Sequence, residues 1–209
     1  MTSHSSIKLT YFGIPGRADA IRLTFAVGGV LFENHIVSES EWAALKPSMP
    51  FGQVPLLTVD GTTQFAQSTT ILRFAGQVAG LYPTDDLVKA ALIDQLVMHI
   101  YDMISIYSHA RLAEDDAVVA AIHKRLAENT FPRMLRELDA LIARHSGGTW
   151  AVGESITIAD LFMFSFFKTI REGVRKGMPT TLFDESPHIL KSMDAVATHP
   201  RVVEWFATH

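Results

Sequence analysis

The 209-residue sequence has no cysteine. That absence excludes disulfides, CxxC redox chemistry, cysteine nucleophiles and thiolate metal sites at once. Any sulfur chemistry must therefore use sulfur that a ligand brings in. An excess of either charge is also missing. Against 18 Lys and Arg stand 22 Asp and Glu, a net charge of −4 with an isoelectric point near 6.1. On that balance neither nucleic acid nor an anionic membrane is expected as a partner. Long hydrophobic runs are absent too: the strongest, Leu161 to Phe167, is interrupted by Ser165 and is far too short to span a bilayer. Met1 to Ser6 is polar and lacks an apolar signal core, so a soluble, cytoplasmic protein is expected. The 9 histidines form no HExxH and no paired short spacing, and no metal site is expected.

What remains is an ordinary globular composition, 48% hydrophobic and 19% charged, long enough for one large domain or two modest ones. Ile7, Leu9 and Tyr11 alternate with Lys8 and Thr10, the period of a half-buried strand. Gly13, Pro15 and Gly16 break it, and Ala18, Ile21, Arg22 and Phe25 take up helical spacing until the Gly28-Gly29 pair. Phe32 to Val37 could form a second strand, and Trp42 to Lys46 a short helical or irregular link. Val54 to Val59, the turn dipeptide Asp60-Gly61 and Thr62 to Phe65 predict a hairpin, after which Ser68 opens a helix. Such an order supports a small mixed sheet covered by helices over residues 1–81.

The joint at residues 82–86, Tyr-Pro-Thr-Asp-Asp, marks a domain boundary. Residues 87–209 then read as all helix. Leu92, Leu96, Ile100 and Ile104 fall four apart; Val118, Ile122 and Leu126 predict a second apolar face. Pro132 kinks or restarts that helix before Leu135, Leu138 and Ile142. Thr157 and Asp160 form a capping box ahead of a helix that is apolar all round and so central. Further helices follow Pro187 and Pro200. The fold class is α+β.

Several of these segments together resemble one family. Lys8 to Phe12 with Gly16 to Asp19, Trp42 with Lys46, Pro50 to Pro55, Val59 to Gly61, Gln67-Ser68 and Thr157 to Asp160 occur in the order found in sigma-class cytosolic glutathione transferases. The resemblance implies a thioredoxin-like domain with a mixed four-stranded sheet, followed by an all-helical domain. It implies a homodimer that attaches glutathione to small hydrophobic electrophiles, with peroxide reduction or isomerisation as side activities.

By that resemblance Tyr11 activates the glutathione sulfur, supported electrostatically by Arg17. Val54-Pro55 matches a cis-proline turn that pairs with the cysteinyl part of glutathione. Gln67 and Ser68, opening a helix, would take the γ-glutamyl carboxylate. Trp42 and Lys46 would hold the glycine end, with Gln53 nearby as a donor. Asp102 matches an aspartate that reaches from the partner subunit. The electrophile would sit between the domains against Phe12, Ile14, Ile104, Tyr107 and Phe162, for each of which plain core packing is an equal reading. Phe51 resembles an aromatic key inserted into the partner, though core burial would also explain it.

Some positions depart from the family pattern. Pro15 replaces a polar residue, Gln53 replaces a lysine found in some members, and the chain stops four residues after Trp205, which suggests an open electrophile site. His109 aligns with a tryptophan of the class's prostaglandin D synthases, which argues against that activity. A modified glutathione is compatible with Trp42 and Lys46. A binding or structural protein of the same fold, such as a ligand carrier or lens crystallin, is the alternative to an enzyme.

Overall fold

The computed structural model describes residues 6–110, 112–113 and 115–209, so the expectation drawn from the first residues lies largely outside it. The first elements are β1 (Ile7–Phe12), α1 (Asp19–Gly28), β2 (Glu33–Val37), α2 (Glu39–Leu45), β3 (Leu56–Val59), β4 (Thr63–Ala66) and α3 (Ser68–Ala79). A 3-10 turn, Lys46–Ser48, follows α2. The strands form one mixed sheet in the order β2-β1-β3-β4. β1 runs parallel to β2, with Leu9 opposite Asn34, and antiparallel to β3, with Leu9 opposite Leu57. The parallel pair needs a crossover, which α1 supplies; β3 and β4 need only the Asp60-Gly61 turn, where both residues take positive φ.

The alternation in β1 predicts one solvent face, but the structure buries Thr10 together with Leu9 and Tyr11. β1 is an interior strand, and its burial is that of a strand covered on both faces. α1 and α3 approach closely where both are small: a Cβ on Gly28 would stand 2.4 Å from the Ala79 Cβ.

The remaining helices are α4 (Leu87–Ala110), α5 (Asp116–Arg125), α6 (Phe131–His145), α7 (Ile158–Arg171), α8 (Pro187–Ala197) and α9 (Pro200–Thr208). Two compact units result. The first extends to Thr84 and also takes in Pro200–His209; the second is Asp85–His199. The sequence places the last helix in the helical domain, whereas α9 packs on α1, and Trp205 stacks on Phe32, itself against Phe25.

In the second unit α7 is central, as its composition predicts: eleven of its fourteen residues are buried, and it packs on α4 and α8. The capping box is present, and Asp160 does more than cap. Its carboxylate is 0% exposed and accepts from the Thr157 amide (2.9 Å) and hydroxyl (3.0 Å), the Ala151 amide (2.7 Å) and the Ser192 hydroxyl (2.7 Å). Burial pushes its pKa up against the pull of those four bonds.

α5 departs from the expected apolar face. Val118 and Ile122 are exposed; Leu126, just past the end of the helix, is buried as expected, and α5 itself turns His123 inward. A π-helical stretch, Leu126–Thr130, joins α5 to α6 without a break in the helical backbone, and Pro132 falls in the first turn of α6, directly after that stretch. Among the described residues no helix is long and apolar enough to cross a membrane.

Candidate active site

Tyr11 ends the buried part of β1 beside the chain break that leads to α1, and only 8% of it is exposed. Its phenol oxygen accepts the Arg17 backbone N–H at 3.1 Å. That bond uses a lone pair and leaves the O–H proton for a further acceptor. Burial pushes the phenol above its ordinary value of 10.0, outweighing the bond from Arg17, so the side chain is a neutral donor at neutral pH. Gly16 is required here by close approach: a Cβ on it would lie 2.5 Å from the Tyr11 oxygen.

The break is held from below by Arg22, which the sequence offers only as one more position on the helical repeat. Its guanidinium, 6% exposed, donates to the Asn34 side chain (3.0 Å), to Asp19 Oδ1 (3.1 Å) and to the Phe12 carbonyl (3.0 Å). Asp19 Oδ2 in turn accepts the Gly16 N–H at 2.8 Å. A cation on an apolar helix face, three residues after an aspartate, was the signal that could have found it.

Arg17, Phe51, Gln53, Val54, Pro55, Ala66, Gln67 and Ser68 line one small concave site in the first unit. The Val54–Pro55 peptide is cis. Val54 lies two residues before β3, beyond the ends of its ladders with β1 and β4. Gln67 is held at φ 73°, ψ 113°, outside the regions open to ordinary residues, and precedes α3 without a side-chain cap to the helix amides. Ser68, the first residue of α3, is buried.

The other expected residues are distributed as follows. Phe12 meets the Trp42 ring edge-on at 5.5 Å, and the Lys46 amide donates to the Trp42 carbonyl. Ile14 is exposed, and so is Phe51 at 63%, which excludes a core role for it. In the second unit Asp102 lies on the exposed side of α4, while Ile104, Tyr107 and Phe162 are buried. Tyr107 stacks on His123 at 4.4 Å and donates to the Lys176 carbonyl at 3.1 Å, beside a cavity of about 970 Å³ that Val119, Val174 and Met178 also line.

Residues 101–209 match the family model described as the C-terminal domain of glutathione S-transferase. The chain belongs to the glutathione S-transferase family. Members use glutathione as co-substrate. The chain is 32% identical over 198 residues to hematopoietic prostaglandin D synthase of Gallus gallus, covering 95% of this chain and 94% of that one. It is also 32% identical over 192 residues to glutathione S-transferase 2 of Manduca sexta, covering 92% and 91%. The structure of prostaglandin synthase D of Nilaparvata lugens superimposes with a TM-score of 0.86 over 98% of both chains at 26% identity. The chain thus shares its fold with that structure over nearly its whole length.

Proposed function

We propose that the protein conjugates glutathione to small soft electrophiles, with the Tyr11 hydroxyl donating to the glutathione sulfur and stabilising its thiolate. The single observation that carries this reading is a buried, neutral phenol whose oxygen already accepts from Arg17 and whose proton is left to give. A free thiol with a pKa of roughly 8.5 is only a few per cent thiolate at neutral pH. Lowering that pKa by about two units takes about 2.7 kcal/mol. One hydrogen bond to a charged partner supplies roughly 1.5–3 kcal/mol, and a nearby helix N-terminus about 0.3–1 kcal/mol more. Tyr11 at the entry to α1 is sufficient.

The cradle fits the rest of the tripeptide. The uncapped amides of α3 and the Ser68 hydroxyl suit the γ-glutamyl carboxylate. The Val54 backbone, beyond the β3 ladders, suits the extended cysteinyl unit, with Gln53 as a further donor. Trp42 and Lys46 are assigned to the glycine end, which leaves room for a modified glutathione. Arg17 is assigned to the support of Tyr11. Phe12, Ile14, Ile104, Tyr107 and Phe162 are assigned to the electrophile, and Asp102 to the partner subunit's glutathione. A cytoplasmic homodimer is the proposed state. Its support is the outward stripe of α4, where Val88, Met98 and Ile106 are exposed, and the exposed Phe51 ring.

Prostaglandin isomerisation is a second reading, favoured by the names of two relatives. His109 stands where the resemblance places a tryptophan, and its Nδ1 is tied to the Ser105 carbonyl at 2.7 Å. Conjugation is therefore the primary reading.

Tyr11→Phe should fold normally, bind glutathione and lose roughly 10- to 100-fold in kcat, with the pH–rate profile displaced upward by about one to two units. A panel of electrophiles, peroxides and a prostaglandin endoperoxide checks both readings. Full conjugation activity with an unchanged profile would sink the assignment.

A further inference from the structure

We propose that Arg22 is a positioning residue for the thiol chemistry: with Asp19 it fixes the Gly16–Arg17 backbone beneath the Tyr11 oxygen, so that a half-buried ion pair aims the hydroxyl. The inference rests on the reading of Tyr11 as donor to the bound thiol.

Arg22 sits on α1, far too buried to be a solvated charge, and its donations go to three different segments. Nε reaches Asn34 on β2, Nη1 reaches Asp19 at the start of α1, and Nη2 reaches the Phe12 carbonyl at the end of β1. A guanidinium fork can hold three acceptors in one plane; an ammonium cannot. From Asp19 the chain of contacts continues to the Gly16 N–H at 2.8 Å, and the next amide, Arg17, is the one that donates to Tyr11 at 3.1 Å. The same guanidinium carbon lies 5.5 Å from the Tyr11 ring centroid, so the ring is flanked by Arg22 while its oxygen is met by the loop that Arg22 holds. From Gly13 to Arg17 the chain belongs to no strand or helix; the Asp19 amide closes a turn onto the Gly16 carbonyl at 3.2 Å, and the Asp19–Arg22 pair adds the side-chain bonds that tie this turn to β1 and β2. If only packing were needed, an apolar side chain of similar size would serve as well as the buried Arg22.

Two mechanisms by which Arg22 could act differ in sign. If its charge acted directly on the thiolate, removing the Asp19 countercharge would strengthen the cation's pull and lower the thiol pKa. If it acts by placing the loop, Asp19→Asn breaks either the bond from the Gly16 N–H or the one from Arg22, because an amide offers one acceptor oxygen. The thiol pKa then rises.

The experiment is a pH titration of glutathione bound to the purified protein, followed by the ultraviolet absorbance of the thiolate. It is run on wild type, Asp19→Asn, Arg22→Lys and Tyr11→Phe, and on each of the first two changes in the Tyr11→Phe background. Asp19→Asn and Arg22→Lys are expected to cut the thiolate fraction at neutral pH by about three- to tenfold, while the KM for glutathione changes less than about twofold. In the Tyr11→Phe background neither change should shift the titration further, because the group they position is gone. A downward shift, an equal shift with and without the hydroxyl, or a folded variant that titrates as wild type would overturn the proposal. Arg22→Lys keeps the charge, so it decides the matter should Asp19→Asn fail to fold. If Tyr11→Phe alone titrates as wild type, the reading of Tyr11 fails first, and that result is separate from any Arg22 effect.

Discussion

Two residues carry measurable consequences of their conformation and burial. The folded protein holds the Tyr11 phenol proton more tightly than the unfolded chain, because burial raises its pKa above 10.0. That contribution is complete below pH 10 and is lost as the pH climbs through the higher folded value. Urea midpoints of wild type should therefore fall relative to those of Tyr11→Phe above about pH 10 and run parallel to them below it. Gln67 stores strain: its backbone sits at φ 73°, ψ 113°, a conformation that costs about 1–3 kcal/mol for a residue with a Cβ. Gln67→Gly removes that cost and adds roughly 0.5–1 kcal/mol of chain entropy. Stability should stay level or rise by about 1 kcal/mol, while the KM for glutathione rises about tenfold. A less stable variant with an unchanged KM would sever the link between this strain and binding.

At the scale of elements, the start of α7 shows how one carboxylate serves several segments. Thr157→Ala removes a cap and should cost about 1 kcal/mol. Asp160→Ala leaves the Ala151 and Thr157 amides and the Ser192 hydroxyl without their acceptor in the core, and should cost about 3 kcal/mol or more. Equilibrium urea unfolding of both variants checks the ranking; equal losses would mean that the bonds outside the capping box contribute nothing. The capping box was legible because its two residues are three apart in sequence. Ser192 was not, since it lies on α8, 32 residues away from Asp160.

For the whole molecule, α4 poses a question that a single chain does not answer. It buries one side with Ile93, Leu96, Ile100 and Met103, and leaves Val88, Met98 and Ile106 facing outward. In the proposed homodimer a second copy of the chain would cover these outward apolar side chains. Sedimentation should give twice the 23.1 kDa chain mass, and Met98→Glu should shift it toward one chain. A wild-type protein that sediments as a monomer at micromolar concentration would remove the proposed role of Asp102 from the partner subunit as well.

Local signals determined a good part of this protein. Period-2 alternation, turn dipeptides and capping residues act over a few residues, so β1, the Asp60-Gly61 hairpin and the box at Thr157 could be read directly. The missing cysteines directed the chemistry to a borrowed thiol, and the order of the motifs pointed to the family. Tertiary packing decided the rest. It buried Thr10 because β1 is interior, and it turned His123 rather than Ile122 inward. It drew α9 onto α1 through Trp205 and Phe32, residues far apart in the chain. It also gave Arg22 its place. A helical repeat marks which face is covered, but the three acceptors that make a buried arginine tolerable come from β1, β2 and α1, and only the folded chain brings them together.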